Sequence, residues 1–211
     1  MNKILPNLYS ISTIFDGKQS QTTFLIARTE GNILFGTAAN ISAYINQIKE
    51  MGPIIGIFLG DRHQGKGDIL STAKNLNAPL YSSKIEAKVL QKSGVIVDKI
   101  INYEQHNLYD DLEVIPTPGH TPGAISYLWT AGEYKVLFIG DTVVPIDEEW
   151  EIWVTKPNRS KMLETMELLK KLDFNYMAVN SFAVTGDKVI HLTSKKKIDF
   201  IDSVINKVSG K

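Results

Sequence analysis

The chain has 211 residues, 43% apolar and 22% charged, with no cysteine and a formal net charge of zero. That size and balance fit one globular domain able to bury a core without disulfides or structural metal. They exclude a disulfide framework, thiolate ligands and a cysteine nucleophile, and without a dense basic block neither nucleic acid nor an anionic membrane is an expected partner.

The opening stretch "MNKILPNLYSIST" turns polar at once, so no signal peptide is expected. No apolar run nears the roughly 20 residues that span a bilayer, and the expected compartment is the cytoplasm. "LYSISTIF", "TTFLIART" and "NILFG" read as strands, separated by the turn signals "DGKQSQ" and "EG". "NISAYINQIKEMG" predicts a helix with Ile41, Ile45 and Ile48 on one face, Asn40 as N-cap and Gly52 as the stop. "IIGIFL" reads as a buried strand. It runs into "LGDRHQGKGDI", then a helix over Asp68 to Leu76 and a short strand ending in "LYSS". "SSKIEAKVLQKSG" predicts another helix, with Ser83 and Glu86 at capping-box spacing and Gly94 at its end.

"LEVIPTP", "AISYLWT" and "YKVLFIG" read as strands. "NRSKMLETMELLKKLDF" places Met162, Met166, Leu169 and Leu172 on one helical face. "NYMAVN" and "KVIHL" are short strands. "SKKKIDFIDSVINKV" reads as an amphipathic helix, with Ile198, Ile201 and Ile205 inward and Lys195 to Lys197 solvated. There is no repeat, low-complexity segment or linker. The order of elements fits two sheets with helices packed outside them, in a single domain.

Four segments put ligand-competent groups just after apolar strands. They hold Asp61 and His63 in "GDRHQGKGD", His120 in "PTPGHTPG", Asp141 with Thr142 in "FIGDT", and the segment "NSFAVTG". Strand ends are rigid mounts, and the glycines and prolines beside them allow tight loops. Taken alone, Asp61 and His63 fit a metal site, a damaged metal site or a polar turn capping the next helix. Asp68 suits the N-cap or first turn of that helix. His106 lies in a polar loop and reads as an ordinary surface residue, and His191 reads as a strand residue. Trp150 and Trp153 follow the "FIGDT" strand closely. They suit either an aromatic lid over a pocket or a seal on the core or on a dimer contact, with Glu148, Glu149 and Glu151 in solvent.

"PTPGHTPGAISYLW" followed by "VLFIGDT" resembles the metallo-β-lactamase superfamily, and the likeness extends over nearly the whole chain. The resemblance implies an α/β fold, the four-layer αββα sandwich, with residues 1–211 as one domain. It also exposes departures from the family's HxHxDH motif. The two histidine positions that open that motif hold Asp61 and His63, its aspartate position holds Gly65, and its last histidine position holds Lys66. The family's C-terminal histidine falls at or beside Phe182, and Gly36-Thr37 stands where an early Asp-Thr is common.

The resemblance implies one metal at Asp61, His63 and His120, with Asp141 in the place of the family's bridging carboxylate. A carboxylate with two imidazoles suits zinc or iron. Gly65, Lys66 and Phe182 supply no second set, so the second metal is expected to be lost. Gly65 also replaces the carboxylate that handles the attacking water's proton, which leaves Asp61, Asp68 and Asp141 as nearby candidates and removes the usual two-metal hydrolysis. Lys66 is expected to take the vacated place and pair with Asp141, because a lone buried carboxylate is costly. The other reading leaves Lys66 in solvent. Three functions stay open. The chain is a hydrolase-like protein with at most one metal, acting by family analogy on a small ester, thioester or lactone, or a metal-free module binding a small molecule or a protein, or an interaction protein with a relic pocket. A degenerate site ranks above an efficient hydrolase, and a homodimer is left open.

Overall fold

Residues 1–15, 19–36, 41–146, 149–181, 184 and 188–210 are described in the computed structural model. Two units are present, one formed by Met1–Asn102 with Asn180–Ala183, the other by Tyr103–Val179 with Val184–Lys211.

The first unit is built on a seven-stranded sheet whose strands lie side by side in chain order. They are β1 (Asn2–Leu5), β2 (Leu8–Phe15), β3 (Gln19–Ile26), β4 (Asn32–Phe35), β5 (Ile54–Phe58), β6 (Leu80–Ser83) and β7 (Lys99–Ile101). The first four pair antiparallel, and β4 to β7 pair parallel. Parallel neighbours need crossover segments, and these are α1 (Ile45–Glu50), α2 (Ile69–Leu76) and α3 (Lys84–Lys92). Their apolar stripes join the sheet in one buried cluster that includes Leu25, Leu34, Ile57, Ile48, Ile69 and Leu90.

The expected helix over 40–52 is shorter than its pattern. It opens as a 3-10 turn at Ile41–Tyr44, and Tyr44 takes the N-cap position of α1 with no side-chain cap bond. Asn40, the expected cap, lies outside the described residues. The inward face survives, with Ile41, Ile45 and Ile48 all buried. The start of α3 matches its sequence signal, since Ser83 Oγ accepts from the Glu86 N–H at 3.2 Å.

The second unit carries a six-stranded sheet of order β15-β14-β11-β10-β9-β8. Its strands are β8 (His106–Tyr109), β9 (Leu112–Pro116), β10 (Ile125–Ala131), β11 (Tyr134–Phe138), β14 (Tyr176–Ala178) and β15 (Val189–His191). Only β11 and β14 pair parallel, and the connection between them contains α4 (Arg159–Lys171). A two-stranded ribbon, β12 (Val144–Ile146) with β13 (Glu149–Glu151), precedes α4, and α5 (Ser194–Ser209) closes the chain. No helix among the described residues is long and apolar enough to cross a membrane.

Met162, Met166 and Leu169 of α4 are buried as their spacing predicts, together with Thr165, whereas Leu172 is the half-buried C-cap in extended backbone, because the helix ends at Lys171. The stripe of α5 differs from expectation. Its buried residues are Phe200, Ile201, Val204 and Val208, while Ile198 and Ile205 are half-buried. Lys197 is not simply solvated. Its Nζ donates to the Leu172 carbonyl at 2.6 Å and lies 5.0 Å from the centre of the Phe174 ring, so its stem covers apolar surface. Sequence reading did not foresee β1, β7, β8, β12 and β13, each of three or four residues. His106 opens β8 rather than sitting in a loop, paired with Val114.

Candidate functional site

In the first unit, β5 delivers the chain through Leu59 and Gly60 to Asp61. The Gly60 N–H donates to Gln64 Oε1 at 2.8 Å, which folds the turn back on itself. Asp61 is buried and caps the 3-10 turn Arg62–Gly65, its Oδ1 accepting from the His63 N–H at 2.8 Å. The other oxygen, Oδ2, stands 3.5 Å from His63 Nδ1. Arg62, between these two side chains, points to a fully buried Glu86 of α3. Its Nε and Nη2 donate to that carboxylate at 2.6 and 2.8 Å, and its backbone N–H donates to the same Oε2 at 3.0 Å. The Glu86 carboxylate thereby holds the Arg62 guanidinium above its ordinary pKa. A bidentate pair of this kind fixes orientation as well as distance.

In the second unit, the loop after β9 carries His120. Thr165 Oγ1 of α4 donates to the Pro118 carbonyl at 2.7 Å. Gly119 sits so close to α4 that an added Cβ would lie 3.0 Å from the Met162 Cα, so this position requires a glycine. His120 Nδ1 lies 2.7 Å from the Trp153 carbonyl. A carbonyl can only accept, so the ring proton is on Nδ1 and the lone pair is on Nε2. That Nε2 is 3.9 Å from Asp141 Oδ2. Asp141 follows β11 through Ile139 and Gly140 and is buried, as is Thr142 beside it.

Trp153, half-buried, lies with its ring centre 6.2 Å from that of His120. Trp150 faces elsewhere. Its ring packs on Phe200 of α5 at 4.3 Å, and Lys207 of α5 bonds both the Trp150 carbonyl and Glu149. Trp150 is therefore a seal on α5 and not a lid. His191 is exposed on β15, 4.9 Å from the Tyr176 ring centre.

Lys66 departs from expectation. It is exposed, it follows the 3-10 turn in extended backbone, and it forms no ion pair among the described residues, so the Lys66–Asp141 pair is absent. The turn's exit sends this side chain outward. Asp68 occupies the N-cap position of α2 but makes no side-chain cap bond, and it too is exposed. Gly65 is buried, and a Cβ there would lie 2.2 Å from Leu90 Cδ2. Position 65 thus faces the apolar side of α3. Phe182, Thr37 and Glu148 lie outside the described residues, as does much of the "NSFAVTG" segment. Sequence reading missed two supports. Glu86 showed itself only as a capping residue, and the Trp153 carbonyl, a backbone atom, leaves no sequence signal.

The model of the metallo-beta-lactamase superfamily matches residues 62–179, more than half of the chain. Among solved structures, the metallo-beta-lactamase GOB-18 from Elizabethkingia meningoseptica is 20% identical over 95% of this chain and 91% of its own, with a TM-score of 0.66. DIM-1 metallo-beta-lactamase gives a TM-score of 0.76 at 13% identity, covering 99% of this chain and 96% of its own. A metallo-beta-lactamase from Pontibacter korlensis gives 0.73 at 13% identity, covering 100% and 98%. At these identities the likeness shows the fold. A search of curated proteins found no match.

Proposed function

Because the chain belongs to the metallo-β-lactamase superfamily, we propose that its two units act as one domain in which Asp61, His63, His120 and Asp141 together hold a single zinc or iron ion. The reading rests on a repeated pairing. Each unit carries one buried carboxylate beside one imidazole, Asp61 with His63 at 3.5 Å and His120 with Asp141 at 3.9 Å. Two carboxylates and two imidazoles are a donor set that suits such an ion, and the bond from His120 Nδ1 to the Trp153 carbonyl puts the ring's lone pair on Nε2.

The donor set does not extend to a second ion. Gly65 offers no donor and faces Leu90, Lys66 brings a positive charge, and Phe182 cannot ligate. Two-metal hydrolysis is accordingly not part of the proposal. A single bound ion would supply Lewis acidity and make nearby water more acidic. The chain's own contribution is orientation. The Trp153 carbonyl holds His120, and one oxygen of Asp61 accepts from the His63 backbone. The substrate class by analogy is a small ester, thioester or lactone, met in the cytoplasm. Gly65 favours a second reading, a small-molecule binding module with no catalysis, because the usual proton-handling carboxylate has no counterpart there.

Elemental analysis of tag-free protein purified without chelator tests the proposal. About one equivalent of zinc or iron per chain is expected, lost in both His63→Ala and His120→Ala. No metal after incubation with excess zinc, iron or manganese overturns it and leaves the metal-free module.

A further inference from the structure

The first unit contains a cavity of about 520 Å³ beside the Asp61–His63 turn. That volume lies in the range of roughly 300–1,000 Å³ usual for small-molecule sites. One wall is apolar, formed by Leu70 of α2, Val89 and Leu90 of α3, and Val95. Leu70 is 47% exposed there, although it is a large aliphatic residue on a helix with a buried face. The lining also includes Arg62, His63 and Lys66. These three basic residues are not equivalent. Arg62 is committed to the buried Glu86 by two hydrogen bonds, and His63 stands against Asp61. Lys66 alone of the three has no ion-pair partner among the described residues.

The geometry points to a binding site for an amphipathic monoanion, a carboxylate on an unbranched apolar chain, with its acid group on Lys66 and its chain along Leu70, Val89 and Leu90. One uncommitted ammonium balances one negative charge, which disfavours a dianionic phosphate. Apolar walls with few polar groups supply affinity through buried area, and the single cation fixes orientation. Gly65 is part of the construction. Leu90 occupies the space a side chain at 65 would need, so the glycine lets α3 form the floor of the cavity. The loss of the family's carboxylate at this position and the presence of the cavity are then one structural change. The site lies wholly within the first unit and does not rest on bound metal.

Calorimetric titration of the chelator-treated whole protein with decanoate, decanol and decyl phosphate, each below its micelle concentration, tests this. Decanoate should bind saturably, one per chain. Lys66→Ala should weaken it about tenfold, the loss of one charge-assisted hydrogen bond, and Lys66→Arg should retain it. Leu70→Asp should remove it. Both positions are exposed, and equal thermal unfolding of the variants confirms that they fold. Absence of decanoate binding, equal binding of decanol, or an unchanged Lys66→Ala overturns the proposal. Tighter binding of decyl phosphate overturns the assignment to a monoanion.

Discussion

The loop holding Asp61 and His63 and the loop holding His120 are fixed by different forces. The first is clamped by charge. A buried carboxylate, Glu86, takes both the side chain and the backbone N–H of Arg62. The second is clamped by shape. Gly119 lies against Met162 with no room for a Cβ, and neutral hydrogen bonds from Thr165 and to Trp153 complete it. An ion pair fixes one side chain through its charged head, while close backbone contact limits the volume allowed at the loop position itself.

Three substitutions separate these modes, in falling order of effect. Glu86→Ala removes the partner of the partly buried Arg62 guanidinium and should cost about 3 kcal/mol of unfolding free energy in denaturant titration, because removing one partner of a buried pair leaves the other uncompensated. Gly65→Asp adds a carboxylate beside the Asp61–His63 turn. It drives Leu90 from its place and should cost about 1–3 kcal/mol, while elemental analysis finds no second equivalent of metal. A gain of that equivalent would mean that position 65 can turn toward the site. Thr165→Val leaves the Pro118 carbonyl without its donor and should cost about 1 kcal/mol, with the loss of stability smaller than that of Glu86→Ala.

The smallest effect concerns the contact of β13 with α5. Lys207 lowers the Glu149 pKa below its ordinary 4.5. A carboxylate whose folded pKa is depressed contributes stability above its unfolded pKa and loses it as pH falls through the folded value. Wild type and Glu149→Gln should therefore differ slightly in melting temperature at neutral pH and converge as pH drops below about 4.5. A difference that grows toward acid pH would reverse the assigned direction.

Particular residues show how far the sequence could be read. The helix cap at Ser83 was legible because capping is local, a side chain meeting an N–H three residues on. Glu86 turned its carboxylate to Arg62, 24 residues away in the chain, and long-range charge pairing leaves no local spacing. In α5 the period was right and the phase was not. Ile198, Ile201 and Ile205 compete with Ile201, Val204 and Val208 as the inward stripe, and only packing chose the second. For Lys66, charge complementarity to Asp141 and exposure to solvent were both open readings of the sequence, and its direction follows from the exit of a 3-10 turn.

By itself, the sequence determined the types of the longer elements, the placing of Asp61, His63, His120 and Asp141 just after strands, and the family. These depend on period, turn residues and motif spacing, which are properties of neighbours along the chain. Only the tertiary structure decided where the side chains at those places point. Gly65 faces Leu90, Lys66 faces solvent, Trp150 faces Phe200, and His120 carries its ring proton toward Trp153. The direction of a Cβ is set by local backbone angles, but what it meets is set by segments far away in sequence.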